Sequence, residues 1–582
     1  MNLRAGYLAA LLIVITLGVY YPSLSAPFNS LDDRLLVTHL INKNYFSLSQ
    51  HFFPGGTSEY YRPLSTLSLE MDKYLWGLVE SFMHLENILL HAINVLLIFF
   101  IARILSSAEE RTNKVVPFLA AGCFALHPLN TEAVNWISAR TDLLAGTFTY
   151  ASLLFLLLAL QRQRLLWGVL GAFLLFLGCL SKEPALFLLP GVFFLLLLRR
   201  DSWGFCPRLP KLSFRLALLF VYSLASFGYL CLRWFALHRD RGIQNTVRLV
   251  TEVVNAAPAE SVHSSVPVGE RLMQAVEAAG FYVKKLFIPF PLNFGIATVD
   301  SRYFFLGVIV LLLLLWLAWR RTLVSALLLT SVSLGSSALL VVVTALGWVP
   351  IAERYMYIVC GPFVIAMTFV LAHMTRDLQA KKAVALVVCL FFAGSAYATV
   401  TRNLIWQSNL TLFEDTVRKS PEFPTAKNEL AMALIQNNRK DEAMEILESI
   451  QVPSSQASSL NKMTVYYERG EYEQARQFLL ERLEAGGPYE IKILEFLITI
   501  SHEMIDRSED DARKRELLFE IKAWLTRLEK VTHNSFIWYR LGRVAMLLGD
   551  NKQAQIYFMQ AAERLPKDSL YKAPAKKLAE TL

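Results

Sequence analysis

The sequence predicts an all-α protein in two parts, a polytopic bundle of membrane-spanning helices followed by a soluble α-solenoid. Three observations predict this class. Hydrophobic residues make up 54% of the 582 positions and charged residues only 18%, which is too apolar a composition for a soluble chain. The apolar residues are concentrated before about residue 402, in stretches long enough to cross or nearly cross a bilayer. A helical repeat pattern follows near the end of the chain.

The apolar stretches predict about eleven spans. They cover residues 5–19, 88–105, 115–129, 143–160, 165–180, 185–198, 214–235, 304–319, 324–348, 355–372 and 383–400. The first stretch resembles a signal peptide, but Pro27 directly after the candidate cleavage site favours a retained span. Basic residues such as Arg103, Arg162, Arg199 and Arg320 fall on alternate loops, so the positive-inside rule places everything after about residue 401 outside the cytoplasm.

The last part of the chain carries a tetratricopeptide signature. Trp538, Gly542, Ala554, Phe558 and Pro566 stand at the spacing typical of this repeat, and weaker copies lie at 428–447 and 466–479. We therefore predict a membrane domain over residues 1–402 and an extracytoplasmic repeat domain over residues 403–582. Stacked repeats form a concave groove suited to an extended or helical partner segment. No basic patch indicates a nucleic-acid partner.

Two adjacent carboxylates, Asp32 and Asp33, come just after the first span. An ionisable residue next to a bilayer is costly unless it has a function or a partner, so this pair is the first candidate for catalysis. Neighbouring residues do not point the same way on a helix or strand, so one acid can face the reaction centre while the other orients it, binds a cation or caps the next helix. Helix capping alone is the alternative, since aspartate is a good cap residue.

Further polar side chains lie on the loops predicted to share this outer face. Such convergence of acids, bases and phosphate-binding types is expected of a catalytic cavity. The candidate substrate-binding residues are Tyr61, Arg62, His127, Glu132, Arg140, Asp142, Lys182, Glu183, Glu353, Arg354 and Tyr355.

Structural roles stay open for several of these residues. Glu353 and Arg354 are also typical interfacial anchors, Lys182 and Glu183 can form a local ion pair, and His127 can be a packed interfacial residue. A second polar stripe, formed by His84, Asn87, His91 and Asn94, has the spacing of one helix face. We interpret it as packing against neighbouring helices and not as a metal site.

The polar loops also resemble those of a known family. The segments are FNSLDD at 28–33, YRPLST at 61–66, HLENILLHAIN at 84–94, HPLNTEAV at 127–134 with RTDLL at 140–144, LSKE at 180–183 and AERY at 352–355. In this order they are similar to the TMTC family. Its members are transmembrane and tetratricopeptide-repeat proteins of the GT-C glycosyltransferase superfamily, related to protein O-mannosyltransferases.

The resemblance implies a GT-C type transferase that moves a sugar, mannose or a similar hexose, from a polyprenyl-phosphate carrier to a hydroxyl acceptor, in the family a protein Ser or Thr. Asp32 or Asp33 fills the role of the family's first-loop base. Arg354, Arg62, Arg140 and Lys182 match positions able to stabilise the leaving phosphate. Glu132 and Asp142 are expected to shape the cavity or hold the sugar, and the repeats to hold an acceptor protein.

Other functions are compatible with the same sequence. The alternatives are a transporter or flippase of a lipid-linked sugar, a transferase that modifies a glycolipid or cell-envelope glycan, and a scaffold whose membrane part only anchors the repeats. A divalent metal bound by Asp32 and Asp33 stays open, because paired aspartates suit Mg²⁺ or Mn²⁺. The short repeat region and the lack of a retention signal favour a bacterial inner membrane with the repeats in the periplasm, or the endoplasmic-reticulum membrane if the source is eukaryotic.

Overall fold

The computed structural model describes residues 3–43, 45–54, 60–106, 112–199, 202–238, 267–344, 349–375, 381–450, 456–486, 490–532, 534–566 and 569–582. Within these ranges the chain is helical, with an isolated bridge between Ile296 and Ile351 as its single β-type pairing. The predicted all-α class is therefore confirmed. The chain divides into two compact units, the first running to Glu429 and the second from Leu430 to Leu582.

The first unit contains the apolar helices and their polar connections. Its α-helices are Leu3–Tyr20, Asp33–Asn42, Leu48–Phe52, Pro63–Leu75, Glu80–Leu105, Thr112–Leu126, Thr131–Asn135, Arg140–Arg162, Leu165–Ser181, Leu188–Leu196, Leu212–His238, Val268–Phe287, Tyr303–Arg320, Leu323–Thr344, Tyr357–Met374, Lys381–Ile405 and Asn409–Lys419. Helix Pro424–Gln436 begins in this unit. The boundary predicted after residue 402 stays a prediction, and by its contacts the first compact unit continues to Glu429.

Eight helices of the described residues are long and apolar enough to cross a membrane. They are Ala5–Ser25, Glu80–Leu105, Ile137–Arg162, Leu212–Leu237, Tyr303–Arg320, Leu323–Thr344, Glu353–Met374 and Ala383–Ile405. Three shorter apolar helices cover Val115–Leu126, Leu165–Ser181 and Glu183–Leu196. Each apolar stretch of the sequence overlaps one of these helices. Residues 345–348 of the stretch 324–348 lie outside the described residues, and the number of spans stays a prediction.

Close helix packing in the first unit depends on small residues. A Cβ atom at Gly280 would collide with the carbonyl oxygen of Tyr303, and one at Gly307 would collide with that of Val276. Helices Val268–Phe287 and Tyr303–Arg320 therefore approach each other backbone to backbone, as helices in bilayers do where small residues face each other.

The stripe on helix Glu80–Leu105 packs against neighbouring elements. The imidazole of His91 lies 2.9 Å from the Tyr357 hydroxyl, and the amide of Asn94 donates to the same hydroxyl at 2.9 Å. Asn87 donates to the backbone carbonyl of Trp136 at 3.0 Å. These contacts agree with the packing role predicted for the stripe.

The second unit is a series of consecutive helices. Helix Pro424–Gln436 ends in it, followed by Lys440–Glu448, Gln456–Arg469, Tyr472–Ala485, Glu490–Arg507, Asp511–Thr532, Phe536–Leu547, Asn551–Arg564 and Lys572–Thr581. The predicted repeat corresponds to the pair Phe536–Leu547 and Asn551–Arg564. A Cβ atom at Gly542 would lie 2.7 Å from the ring of Phe558, so only glycine allows this approach. Ala443 and Ala475 of the weaker copies are fully buried.

Candidate functional site

Asp33 is a buried anchor of the loop that follows the first apolar helix. Its Oδ1 atom accepts hydrogen bonds from the backbone N–H of Ser138 at 2.9 Å and from the Ser138 hydroxyl at 2.5 Å, and its Oδ2 atom accepts from the backbone N–H of Asn29 at 3.0 Å. Burial raises the pKa of Asp33 to about 6, although these hydrogen bonds lower it. The side chain thus ties the loop to the turn before helix Arg140–Arg162.

Asp32 is the carboxylate of the pair that is available for chemistry. Its side chain is half-buried and makes no capping hydrogen bond to helix Asp33–Asn42, so the capping alternative fails for this residue. Burial raises the pKa of Asp32, and the positive charge of Arg354 opposes that rise. Arg354 therefore lies close enough to act on the Asp32 carboxylate.

Arg354 is held in place by a second buried carboxylate. Its guanidinium forms an ion pair with Glu132, and its backbone N–H donates to the other oxygen of Glu132 at 3.1 Å. Burial raises the pKa of Glu132, whereas the Arg354 charge lowers it. The guanidinium also lies over the rings of Trp136, at 4.6 Å, and Tyr355, at 5.0 Å. A planar cation fixed in this way is suited to recognise a carboxylate or phosphate.

Three further ion pairs extend the group. Lys182 Nζ lies 2.6 Å from Asp142 Oδ2, and both side chains are more than nine-tenths buried. Burial lowers the pKa of Lys182 to about 8, against the opposing effect of Asp142. Glu183 accepts from Arg62 at 2.9 Å and from Arg233 at 2.8 Å. The Tyr355 ring lies 5.8 Å from Lys182 and 5.0 Å from Arg354, and Lys182 is next to Glu183 in the sequence, so we describe these ion pairs as one row.

The row carries more positive than negative charge. Four basic side chains, those of Arg62, Lys182, Arg233 and Arg354, are paired with only three carboxylates, those of Glu132, Asp142 and Glu183. The paired acids order these cations, and Asp32 is a further carboxylate that is coupled to Arg354. Such an arrangement can stabilise a phosphate that gains negative charge, with Asp32 beside it as a proton acceptor.

Three of the predicted binding residues have structural partners instead. Arg140 is fully buried and its guanidinium contacts Asp72 at 2.8 Å, Glu86 at 2.7 Å and the Asn87 side chain at 3.0 Å. These contacts occupy the guanidinium. A direct substrate contact of Arg140 therefore has no support from its position.

His127 and Glu353 are likewise engaged by the protein. One ring nitrogen of His127 lies 3.1 Å from the Leu286 carbonyl oxygen, and the other accepts from the Leu129 backbone N–H. Burial lowers the pKa of His127 to about 4, so this histidine is neutral at physiological pH. Glu353 accepts from Lys285 at 2.6 Å and from the Asn293 backbone at 3.0 Å. The packed role left open for His127 matches this geometry.

The two predicted tyrosines differ in exposure. Tyr61 is almost completely buried, its hydroxyl finds no partner among the described residues, and burial raises its pKa to about 12. Tyr355 is half-buried and donates to the Val349 carbonyl oxygen at 3.1 Å, while its ring faces Lys182 at 5.8 Å. Tyr355 thus adjoins the row of ion pairs, and Tyr61 has an unpartnered polar atom that a ligand could meet.

The loop that carries Asp32 is also held by residues that follow the last apolar helix. The Asn409 side chain accepts from the Ser30 backbone at 3.3 Å and donates to the Phe28 carbonyl oxygen at 3.0 Å. The Ser30 hydroxyl donates to Glu429 at 2.5 Å. Burial raises the pKa of Glu429, and the Asp32 charge raises it further while the Ser30 hydrogen bond lowers it. These residues brace the candidate base, and we call them the C-terminal brace.

Several of these residues are absent from the sequence-based prediction. Arg233 lies inside an apolar stretch, where its charge alone was the available signal. Ser138, Asn409 and Glu429 carry no motif, because their role depends on contacts across long separations. The described residues contain no group of three or more potential metal-binding side chains. A metal on Asp32 and Asp33 therefore stays an untested prediction.

The chain is similar in sequence to known proteins. A family model described as dolichyl-phosphate-mannose-protein mannosyltransferase matches residues 69–226, and a tetratricopeptide-repeat model matches residues 537–568. The chain is 34% identical to human protein O-mannosyl-transferase TMTC2 over 150 residues, which is 24% of this chain and 17% of the human protein. It is 36% identical to mouse protein O-mannosyl-transferase TMTC1 over 104 residues, 18% of this chain and 10% of the mouse protein.

Two further comparisons are more distant. Protein O-mannosyl-transferase F38B6.6 of Caenorhabditis elegans is 28% identical over 191 residues, 31% of this chain and 27% of that protein. The crystal structure of the Archaeoglobus fulgidus oligosaccharyltransferase tethered with an acceptor peptide aligns at a TM-score of 0.35 and 11% identity, over 76% of this chain and 59% of that one. A similarity this low supports no argument. In each protein match the chain spans less than a third of the relative's length.

The matches confirm the resemblance found in the sequence at the level of class. The chain is similar to GT-C membrane proteins related to protein mannosyltransferases. More particularly, it is TMTC-like, with an apolar helical unit and a tetratricopeptide repeat close to its end.

Proposed function

We propose that this chain is a membrane glycosyltransferase that transfers mannose or a similar hexose from a polyprenyl-phosphate carrier to a hydroxyl group of a protein acceptor. The names of the TMTC relatives support the reaction class. The observation that carries the proposal is the contrast within the aspartate pair. Asp33 accepts three hydrogen bonds, whereas the Asp32 carboxylate has no hydrogen-bond or ion-pair partner among the described residues and is coupled to the charge of Arg354.

In this proposal Asp32 accepts the proton of the acceptor hydroxyl as its oxygen attacks the anomeric carbon of the sugar. The new carbon–oxygen bond forms while the bond from that carbon to the carrier phosphate breaks, and the electron pair leaves with the phosphate. Attack opposite the leaving group inverts the anomeric configuration. Arg354, Lys182 and Arg62 stabilise the charge that develops on the phosphate.

The acceptor requires a site that admits a polypeptide. Tetratricopeptide repeats bind extended or helical segments in their concave groove, so we assign acceptor or partner binding to the second unit. The apolar helices keep the donor lipid in the bilayer, where a polyprenyl chain partitions. We place the reaction on the extracytoplasmic or lumenal face, following the distribution of basic residues between the spans.

The test is sugar transfer by the purified full-length protein. With polyprenyl-phosphate mannose and a Ser/Thr-containing peptide, product is measured by mass spectrometry. Asp32→Asn should lower the rate by about 10²- to 10⁴-fold, the usual contribution of a general base. Asp511→Asn is a matched control, because that carboxylate is 93% exposed in the repeat unit. Full activity of Asp32→Asn would contradict the assignment of the base.

The same variant separates the transferase from a lipid-sugar flippase. Translocation of the donor in vesicles needs no proton acceptor for a hydroxyl, so a flippase should retain its activity in Asp32→Asn. If translocation is present and transfer is absent in the unmodified protein, the transferase proposal fails.

A further inference from the structure

A groove on the first unit lies apart from the row of ion pairs. It has a volume of about 530 Å³, within the usual range of small-molecule sites. Apolar residues and two cations line it together, among them Phe290, Leu292, Ala398, Ile405, Arg402 and Lys419.

The groove lies at the end of a candidate membrane span. Ile405 is the last residue of the apolar helix Ala383–Ile405, so the groove is at the level where that helix leaves the hydrocarbon. Beside it, Phe287, Ile288 and Phe290 are exposed by 57%, 59% and 48%. Three neighbouring apolar side chains at this level are suited to contact with acyl chains.

The charge at the groove is positive. The carboxylate of Asp415 forms ion pairs with Arg402 at 2.5 Å, with Lys419 at 2.6 Å and with Arg418 at 2.9 Å, measured from nitrogen to oxygen. Of these basic side chains only Arg402 and Lys419 line the groove, so together with Asp415 they leave an excess of one positive charge there. Basic pockets between membrane helices at the interface bind phosphate headgroups.

We propose that this groove binds the phosphate headgroup of an anionic glycerophospholipid, with an acyl chain against Phe290, Leu292 and Ile405. Lys419 contacts the phosphate while its Nζ also donates a hydrogen bond to the Leu292 carbonyl oxygen at 2.6 Å. The sugar carrier is not the expected occupant, because its anomeric carbon must reach Asp32. Neither Asp32 nor Arg354 lines the groove.

The experiment uses the full-length protein in detergent and follows its thermal unfolding. Phosphatidylglycerol, phosphatidylcholine, polyprenyl phosphate and inorganic phosphate are titrated separately. We expect phosphatidylglycerol to raise the unfolding temperature in a saturable way, and Lys419→Gln to weaken its apparent affinity about fivefold, the effect of one basic residue near an anionic lipid. Lys419→Arg should retain binding.

Two pairs of variants make the result specific. Arg418→Gln removes a cation that also pairs with Asp415 but is 76% exposed and does not line the groove, so it should bind phosphatidylglycerol normally. Ile405→Trp fills the groove and should abolish binding, whereas Leu404→Trp, at an exposed neighbour outside the groove, should not. If Ile405→Trp does not fold, the apparent affinities of Lys419→Gln and Arg418→Gln for phosphatidylglycerol still test the proposal.

Three results would overturn the proposal. They are equal binding in Lys419→Gln and Arg418→Gln, stabilisation by inorganic phosphate alone, and stronger stabilisation by polyprenyl phosphate than by phosphatidylglycerol. Sugar transfer is not measured, so failure of this proposal and failure of the transferase proposal are separate outcomes.

Discussion

Replacement of Ser138 by alanine tests whether Asp33 positions the loop on which Asp32 acts as the base. The variant removes one hydroxyl, which donates to Asp33 at 2.5 Å, and leaves the two backbone donors to that carboxylate in place. A hydrogen bond to a charged group contributes about 1.5–3 kcal/mol. If the transition state loses about 2 kcal/mol of stabilisation because the loop is less well positioned, kcat falls by about 30-fold, which is the largest decrease we expect.

The pH profile gives the same test a second readout. The Ser138 hydrogen bond lowers the pKa of Asp33, which burial raises to about 6, so its removal should raise that pKa further. The pKa of Asp33 in the folded state already lies above that of an unfolded aspartate, so folding favours its protonated form at acid pH. Ionised Asp33 depends more on this hydrogen bond than neutral Asp33 does, so the variant should lose more activity relative to the unmodified protein above pH 6 than at pH 5.

The assay is kcat and KM for sugar transfer across pH 5 to 8. Ser138→Thr keeps a hydroxyl and should restore most of the rate. An unchanged kcat and pH profile in Ser138→Ala would refute the positioning role, as would an equal loss in Ser138→Thr.

Three further predictions concern other parts of the chain. Arg354→Gln removes the charge that lowers the pKa of Asp32, so the acid limb of the kcat/KM profile should move to higher pH, and an unmoved limb would refute the coupling. Asn409→Ala loses two hydrogen bonds of the C-terminal brace, each contributing about 1 kcal/mol, and should lower kcat and thermal stability. Thr411→Ala, whose hydroxyl bonds only to nearby carbonyl oxygens, should lower neither. Gly542→Ala should destabilise the repeat unit by about 1–3 kcal/mol through overpacking, and unchanged thermal unfolding of that unit would contradict the packing argument.

The helices were predictable because their signals are local. Apolar stretches and the repeat spacing indicate burial and close packing within some tens of residues, and each predicted stretch overlaps a helix of the described residues. The compact unit continues past residue 402 because Asn409 and Glu429 contact the first loop. Those contacts join residues almost 400 positions apart, and no local pattern encodes them.

The site was predictable in its residue types but not in its division of roles. Asp32 and Asp33 are equivalent in the sequence, and the difference between them arises from Ser138, 105 positions away. Arg140 and Arg354 both stand on polar loops, yet one is engaged by structural partners and the other adjoins the candidate base. Arg233 was missed because its surroundings are those of a membrane span. In each case the role of the side chain depends on contacts with residues that are distant in the sequence.

The contact between Ser30 and Glu429 has a consequence for synthesis of the protein. The loop bearing the candidate base leaves the ribosome about 400 positions before Glu429, one of the residues that hold it. Partially made chains, with their spans only in part inserted, lack this support. We therefore expect the proposed transferase activity only after the chain has been translated as far as Glu429.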